Sequence, residues 1–373
     1  GTPASRVESM PVTLESVMDA LGQVIDPEIR RPITDLNMVA PDLVTIDGSS
    51  VAIKVLLTTA GCPLRTQITK DVTERVGALD GVDSVTVEMG IMDEDQKKAL
   101  REKLNGGRPE REIPFSRPDS LTRVIAVTSG KGGVGKSSVT ANLAATFAAL
   151  GFDTAAIDAD IYGFSLPRLF GVHTQPTNLN GMLMPVTAWG VKLISIGMFA
   201  GADRAILWRG PRLQRSLEQF LSDVWWGEPD VLLLDLAPGT GDMAISVAQA
   251  LPNAELVVVT TPQPSASDIA VRSGLVALQV PMKVRGVVEN MSYYEHKGEK
   301  LEIFGAGGGQ RVSEQLTQAL GYDVPLMAQL PLEPEVRETG EAGRPAVLDA
   351  DGALRTDGIG QTFRGLAERL LAV

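Results

Sequence analysis

The stretch SGKGGVGKSS, residues 129–138, constrains the fold of this chain more than any other part of its sequence. Residues 130–137 fit the pattern G-x-x-x-x-G-K-[ST] and join a short apolar run, VIAVT, to the helical stretch ANLAATFAALG. In such an arrangement the glycines let consecutive backbone N–H groups point at phosphate oxygens, and the helix N-terminus adds positive partial charge. The sequence therefore predicts a phosphate-binding loop in which Lys136 reaches the β- and γ-phosphates and the Ser137 hydroxyl binds Mg²⁺.

The same glycines also fit the pattern of a dinucleotide-binding loop. Gly130, Gly132 and Gly135 read as G-x-G-x-x-G, and Asp158 follows a second strand at a distance that suits a ribose contact. A dinucleotide loop does not need Lys-Ser after its last glycine, whereas VLLLDLAPGTGD supplies an apolar strand ending in Asp235. Because phosphate-loop NTPases use an aspartate in that position to hold Mg²⁺ and its water, the NTPase interpretation is favoured.

Short apolar strands and longer helical stretches alternate through residues 121–373. The strands are predicted at VIAVT, TAAID, VKLISI, VLLLDL, ELVVV and VRGVV, and this alternation is typical of parallel strands joined by crossover helices. The prediction is an α/β domain with a doubly wound, mostly parallel sheet. Within it, the glycine-rich stretch GAGGGQ, residues 305–310, is predicted to be a flexible loop.

A second, smaller domain is predicted over residues 10–104, since 373 residues exceed the usual size of one domain. It combines a helix in TLESVMDALGQVI and strands in DLVTID and VAIKVLL with a helix beginning near Leu64 and a strand at 82–87. That mixture indicates a small α+β domain. Residues 105–120, NGGRPEREIPFSRPDS, are rich in glycine, proline and charge and are predicted to be the linker.

Charge and cysteine content exclude several classes of function. The 34 Lys and Arg against 46 Asp and Glu give a net charge of −12, which repels nucleic acid and anionic lipid. The sequence contains no apolar run of roughly 18 residues and no secretory pattern, so we expect a cytoplasmic protein without nucleic-acid or membrane partners. Cys62 is the single cysteine, so one chain cannot build a site from several thiolates.

The loop KGGVGKS resembles the deviant phosphate loop of the MinD/ParA/ArsA-like ATPases. In that family an early lysine, here Lys131, reaches across a dimer to the partner's nucleotide, so the resemblance implies a homodimer with Lys131 acting in trans. It also implies that Asp160, in DADIYG, orients or deprotonates the attacking water, while Asp158 supports the loop. Gly239, in APGTGD, would give its backbone N–H to the γ-phosphate. Asn290, in VVENMS, would bind adenine, with a strand-end turn residue as the alternative.

These assignments make up one predicted ATPase site with ATP and Mg²⁺ as cofactors. The catalytic residues are Lys131, Lys136 and Asp160, and Mg²⁺ is expected on Ser137 and, through water, on Asp235. The residues expected to bind ATP are Gly130, Lys131, Gly132, Gly133, Val134, Gly135, Lys136, Ser137, Ser138, Gly239 and Asn290.

Longer stretches of the sequence narrow the resemblance to one branch of the MinD/ParA/ArsA-like ATPases. SGKGGVGKSSVTANLA, DADIYGFSLPRLFG, DLAPGTGD, GVVENMSYY and LPLEPEVRETGEAGRPAV together resemble the Mrp/ApbC iron–sulfur cluster carrier ATPases over nearly all of residues 121–373. DPEI and LTTAGCPL resemble the MIP18-type (DUF59) domain that precedes the ATPase in many bacterial members. The resemblance implies a protein that dimerises around ATP and delivers iron–sulfur clusters to client apoproteins, with iron–sulfur assembly factors as further partners.

One difference from that branch concerns the cluster itself. After NMSY the family usually carries Cys-x-x-Cys, so that a dimer supplies four thiolates, whereas this chain reads YYEHKGEKLEIFG. Glu295 and His296 stand there and can ligate iron, although a solvated polar loop is the more ordinary interpretation. Cys62 is the remaining candidate. At the start of a helix it is either a reactive or metal-binding thiolate that holds a labile cluster, or a small residue packed against the sheet.

Three functions therefore compete. The first is a carrier of iron–sulfur clusters, and the second is an ATP-dependent adaptor that binds client apoproteins and holds no cluster. The third is a nucleotide-switched scaffold of the ParA or MinD kind. Charge disfavours the third, because a DNA-binding relative should show a basic stripe and a membrane-binding one a basic amphipathic tail. The terminal helix FRGLAERLLAV is instead expected to pack on its own domain.

Overall fold

The fold is given by a computed structural model that describes residues 11–58, 64–106, 113–117, 119–160, 163, 165–195, 217–218, 220–239, 242–332 and 342–372. The chain divides into two compact units, Gly1–Pro109 with Thr177–Met184, and Glu110–Pro176 with Pro185–Val373. The first unit therefore combines the N-terminal region with a short segment from the middle of the chain.

The first unit contains a three-stranded sheet and the helices that accompany it. Its elements are α1 (Leu14–Leu21), β1 (Val44–Asp47), β2 (Ser50–Leu57), α2 (Leu64–Gly77), β3 (Ser84–Ile91) and α3 (Glu94–Asn105). Strand β1 pairs antiparallel with β2, and β2 pairs in parallel with β3 across the α2 connection. Ile68, Val72 and Val76 repeat at helical spacing and are fully buried. This unit has the small α+β fold that the sequence predicts.

The second unit is built around a large, mostly parallel sheet. Its helices are α4 (Lys136–Ala149), α5 (Leu166–Leu169), α6 (Asp242–Ala250), α7 (Pro264–Gly274), α8 (Gly308–Leu320) and α9 (Gly358–Leu371). Its strands are β4 (Arg123–Ser129), β5 (Thr154–Ala159), β8 (Val186–Ala188), β9 (Val191–Ser195), β10 (Val231–Leu236), β11 (Glu255–Thr260), β12 (Lys283–His296), β13 (Glu299–Leu301) and β14 (Leu326–Pro331).

The strand order shows how the chain winds in two directions. The order is β13-β12-β11-β4-β10-β5-β9-β8, with β14 also beside β12, and only the edge strands β8 and β13 pair antiparallel. The chain runs from β4 to β5 and β9, returns to β10 between β4 and β5, and then continues to β11, β12 and β14. The predicted doubly wound, mostly parallel sheet is confirmed.

Helices cover both faces of this sheet. Because successive residues of a strand point to opposite faces, Ile125 and Val127 of β4 face one side and Thr128 faces the other. Ile125 and Val127 share a buried apolar cluster with Phe147 of α4 and with α9. On the opposite face, the Thr128 hydroxyl lies 3.3 Å from the Ser273 hydroxyl of α7. Because β4 is buried on both faces, α4 packs on one side of the sheet and α7 on the other.

Several short elements were not evident from the sequence. β6 (Thr177–Leu179) and β7 (Met182–Met184) form an antiparallel hairpin that groups with the first unit. The prediction of a flexible loop over residues 305–310 is wrong for residues 308–310, because α8 begins at Gly308, which is buried. Among the described residues, every helix is too short or too polar to cross a membrane.

Candidate active site

The phosphate loop lies at the carboxyl end of β4, in the centre of the sheet, where ligands of doubly wound folds bind. Gly133 and Gly135 have φ angles of 80° and 77°, in the left-handed region that favours glycine. Gly130 packs against α7 so closely that a Cβ would lie 2.4 Å from the Ile269 carbonyl carbon. The glycine pattern is thus required both by backbone conformation and by contact with a neighbouring helix.

Lys136, Ser137 and Asp235 meet at the base of this loop. The Lys136 ammonium lies 2.5 Å from Asp235 Oδ1, and the Ser137 hydroxyl donates to Asp235 Oδ2 at 2.7 Å. The Asp235 side chain is fully buried and that of Lys136 is 5% exposed, so the two charges are compensated away from water. β10 lies between β4 and β5 in the sheet, and this position brings Asp235 beside the loop.

Thr140 is a further partner of Asp235 that the sequence motif did not indicate. Its hydroxyl donates to Asp235 Oδ1 at 2.9 Å and lies 3.0 Å from the Lys136 carbonyl oxygen. The signal that could have found it is spacing, because Thr140 follows Lys136 by one helical turn and so shares its face of α4. All the oxygens gathered here are hard donors of the kind that Mg²⁺ prefers, so Asp235 and Ser137 fit that ion chemically.

Asp158 holds the loop that follows β5. Its Oδ1 accepts the backbone N–H of Asp160 at 3.2 Å, and its Oδ2 accepts those of Ser165 and Leu166 at 3.0 Å each. Burial, and then the neighbouring Asp235 carboxylate, raise the pKa of Asp158 to about 7, against the opposing effects of the hydrogen bonds from Leu166 and Asp160 and of the Lys136 charge. Asp160 is 8% exposed and is placed beside Asp158 by this network.

Gly239 and Asn290, the two predicted nucleotide-binding residues outside the loop, both contact backbone near it. The Gly239 N–H donates to the Ser129 carbonyl oxygen at 3.0 Å. The Asn290 amide nitrogen donates to the Val134 carbonyl oxygen at 3.0 Å. A Cβ on Gly135 would lie 2.4 Å from that amide nitrogen, so Asn290 packs directly on the glycine turn.

Lys131 lies on the outer side of the phosphate loop. Its ammonium is 3.5 Å from the Ser265 hydroxyl at the start of α7, a weak and exposed contact. The neighbouring Gly132 and Gly133 are exposed, and Lys131 itself is partly exposed. The structure thus separates the two loop lysines, with Lys136 buried against Asp235 and Lys131 facing outward.

The residues considered for iron lie elsewhere in the chain. Cys62 falls outside the described residues. Glu295 and His296 are exposed at the end of β12, where the imidazole stacks on Tyr294 with ring centroids 6.1 Å apart. Within the part of the chain that the structure describes, no three or more His, Cys, Asp or Glu side chains cluster in a way that could hold a metal ion.

Family models match both parts of the chain. One, described as the NUBPL iron-transfer P-loop NTPase, matches residues 120–370. The other, described as an iron–sulfur cluster assembly protein, matches residues 14–89. The order of the two matches agrees with the order of the two units.

Curated relatives match over almost the whole length. An iron–sulfur cluster carrier protein of Mycobacterium tuberculosis is 50% identical over 360 residues, covering 94% of this chain and 94% of its own. A protein of the same name from Bacillus subtilis is 35% identical over 358 residues, covering 95% of this chain and 97% of its own.

Solved structures resemble the larger unit. A nucleotide-binding protein from Archaeoglobus fulgidus in complex with ADP has a TM-score of 0.50 at 33% identity, covering 62% of this chain and 90% of its own. The septum site-determining protein MinD from Pyrococcus horikoshii, complexed with Mg-ADP, has a TM-score of 0.50 at 24% identity, covering 67% and 96%. At that identity the second likeness establishes the fold alone.

Proposed function

Because this chain belongs to the family of NUBPL iron-transfer P-loop NTPases, we propose that it is an ATP-hydrolysing carrier of iron–sulfur clusters that works as a homodimer. In this proposal residues 10–104 form the MIP18-type domain, 105–120 the linker and 121–373 the ATPase domain. The observation that carries the proposal is the meeting of Lys136, Ser137 and Asp235 at the carboxyl ends of adjacent strands. The resemblance to iron–sulfur cluster carriers is confirmed by relatives of that name.

Each polar group near the loop has a distinct task in ATP hydrolysis. When ATP binds, the Lys136 ammonium leaves Asp235 and contacts the β- and γ-phosphates. The N–H groups of the glycine loop hold the phosphate oxygens. Asp160 orients the attacking water, while Asp158 fixes the loop on which Asp160 lies. Ser137 directly and Asp235 through water would hold Mg²⁺, which when bound neutralises charge on the phosphate oxygens.

The outward position of Lys131 supports action on a second subunit. Its nearest described polar side-chain partner is Ser265 at 3.5 Å, so its ammonium is not engaged at the base of its own loop. A positive charge supplied in trans stabilises the transition state of phosphoryl transfer, as an arginine finger does. The proposal therefore places two chains face to face around their nucleotides.

A second candidate function differs from the first in whether the dimer itself holds an iron–sulfur cluster. A dimer of this chain contains two cysteines, one Cys62 from each subunit, so a four-thiolate cluster cannot form between its subunits. A cluster carried by the dimer has two thiolates, with non-sulfur ligands or small thiols completing it, and is labile and sensitive to oxygen. The missing cysteine pair equally favours an ATP-dependent adaptor that binds client apoproteins and never holds a cluster.

Anaerobic reconstitution with iron and sulfide separates these two functions. We expect wild type to gain visible absorbance and iron per dimer, and Cys62→Ser to lose both. A cluster retained by the serine variant would contradict the role of Cys62 and direct attention to Glu295 and His296. Absence of iron and sulfide from both proteins, with ATP turnover intact, would refute the carrier and support the adaptor.

A further inference from the structure

Glu289, the residue before Asn290, has a buried carboxylate with no task in the mechanism above. Its side chain is 1% exposed, and both oxygens accept hydrogen bonds from neutral groups. Oε1 accepts the Ser292 hydroxyl at 2.6 Å and the Gln329 amide at 3.3 Å, while Oε2 accepts the Gly309 N–H at 2.7 Å. Among the described residues no cationic side chain pairs with Glu289, and a buried carboxylate without such a partner is costly unless its hydrogen bonds are satisfied.

The charge of Glu289 is balanced by the N-terminus of α8. Gly309 is the second residue of that helix, and Gly307 at its N-cap has no side chain to satisfy the free N–H groups. A carboxylate at a helix N-terminus is stabilised by those N–H groups and by the helix dipole. Glu289, which lies in strand β12, therefore caps the N-terminus of α8 by accepting one of its free N–H groups.

The N-terminus of α8 packs tightly between the end of β11 and the middle of β12. A Cβ on Gly309 would lie 2.8 Å from Glu289 Cβ, and one on Gly308 would lie 2.6 Å from the Thr261 carbonyl oxygen. Thr261 directly follows β11, and Glu289 lies in β12 beside it. The consecutive glycines thus let the N-terminus of α8 pack closely against both Glu289 of β12 and the residue that follows β11.

The backbone changes direction directly after Glu289. Met291 has a φ of 55°, which is unusual for a residue other than glycine, and the pairing of β12 with β14 shifts register between Glu289 and Tyr293. Asn290 lies within this irregular stretch, and its amide donates to the Val134 carbonyl oxygen of the phosphate loop. The Ser292 hydroxyl, bonded to both the carboxylate and the carbonyl oxygen of Glu289, closes the turn.

We infer that Glu289 is a positioning residue that fixes Asn290 against the phosphate loop and so sets the affinity of the site for nucleotide. The inference rests on the proposed ATP site and adds a residue outside the loop that controls it. A path of contacts connects the α8 N-terminus to Glu289, Glu289 to the adjacent Asn290, and Asn290 to Val134 of the phosphate loop. Because Glu289 touches no reacting atom, its loss changes the KM for ATP and leaves kcat at saturating ATP nearly unchanged.

Three variants test this path by steady-state ATPase kinetics. Glu289→Ala leaves the Gly309 N–H buried without its partner and should raise the KM for ATP about tenfold. Glu289→Gln keeps one acceptor for Gly309 and should restore most of the affinity. Ser313→Ala is the matched control, because it removes a buried hydrogen bond of the same helix, 2.6 Å to the Val324 carbonyl oxygen, away from Asn290.

A double-mutant cycle with Asn290→Ala distinguishes positioning from general loss of stability. If Glu289 acts through Asn290, the double variant should have the same KM as Asn290→Ala alone. Fully additive effects, or a KM for Glu289→Ala equal to that of Ser313→Ala, would overturn the inference. Wild type without any ATP binding would instead refute the proposed function.

Amide hydrogen exchange tests the same path without nucleotide. In protein to which no ATP has been added, Glu289→Ala should speed exchange over residues 130–137, whereas Ser313→Ala should not. Unchanged exchange in the loop of a folded Glu289→Ala protein would overturn the inference, whatever the outcome for ATP.

Discussion

In the proposed mechanism, Lys136 is the residue on which the chemistry of the site depends most strongly. Its ammonium is held against the fully buried Asp235, close to where the glycine loop would place phosphate. Phosphate oxygens carry more charge than one carboxylate and are matched by the N–H groups of the loop. Nucleotide is therefore well placed to compete with Asp235 for this lysine.

Lys136→Ala should lower ATP affinity or turnover by orders of magnitude, measured by calorimetry and phosphate release. Lys192→Met is the matched control, since Lys192 is a second buried lysine of the same unit, 3.2 Å from Asp153. The control should lose stability and keep its turnover. Normal hydrolysis by Lys136→Ala would remove the phosphate-loop assignment.

Glu28 provides a test in the first unit. Burial, and then the neighbouring Asp26 carboxylate, raise the pKa of Glu28 from 4.5 to about 7. The folded state therefore binds the proton more tightly than the unfolded chain, and this contribution to stability, present below pH 4.5, is lost as pH rises to about 7.

Glu28→Gln should therefore match wild type near pH 4 and exceed its free energy of unfolding at pH 8 by on the order of 2 kcal/mol. Urea unfolding at both pH values measures the difference, with Glu102→Gln, an exposed glutamate of α3, as the control. A difference that does not change with pH would show that Glu28 ionises normally.

The sequence predicted the residues of the site that follow a local motif and missed those that depend on distant contacts. The phosphate loop could be predicted because its glycines, lysine and serine are adjacent. Glu289 could not, because its main partner, Gly309, lies 20 residues further on. The pKa of Asp158 likewise depends on Asp235, which only the sheet brings close.

At the scale of elements, apolar runs predicted the buried strands well and the short edge strands poorly. All six residues of β10 are buried, and all of them except Asp235 are apolar. The strands β8 and β13 have only three residues each, too few for a periodic pattern. Their positions depend on pairing with a neighbouring strand, which composition does not reveal.

The terminal helix α9 packs on the larger unit, as expected, and two arginines hold its end. Arg123 donates to the Leu370 carbonyl oxygen at 3.1 Å, and Arg285 donates to those of Arg369 and Ala372. Glu255 lies between the two guanidinium groups, 2.9 Å from that of Arg123. These donors satisfy carbonyl groups that a helix C-terminus leaves free.

Arg285→Ala should therefore lower the free energy of unfolding by about 1–2 kcal/mol, measured by urea denaturation. Arg364→Ala serves as the control, because the described partner of Arg364 is Glu368 on the same helix, in an exposed pair. The control should stay within about 0.5 kcal/mol of wild type. Equal effects of the two substitutions would contradict the anchoring of this helix by Arg285.

At the level of the whole molecule, the proposed mechanism requires two chains at each working site. Asp160→Ala should retain ATP binding and lose turnover, because it removes water activation without removing phosphate contacts. Lys131→Ala should also bind ATP and hydrolyse it slowly. If Lys131 acts in trans, a mixed dimer of the two variants contains one site with both groups intact.

Mixing the two variants should therefore restore up to about half of the wild-type rate per mixed dimer, measured by phosphate release after heterodimers have been shown to form. A mixture no faster than either variant alone would mean that Lys131 acts on its own nucleotide or not at all.

In the proposed function, ATP hydrolysis by this chain drives the delivery of iron–sulfur clusters. Its most direct test is the rate at which an apo-ferredoxin acquires its cluster from anaerobically loaded protein, followed by circular dichroism. We expect MgATP to accelerate transfer by wild type and to have no effect with Lys136→Ala. Transfer that proceeds at the same rate with and without MgATP, or that MgATP accelerates equally from Lys136→Ala, would refute ATP-driven delivery.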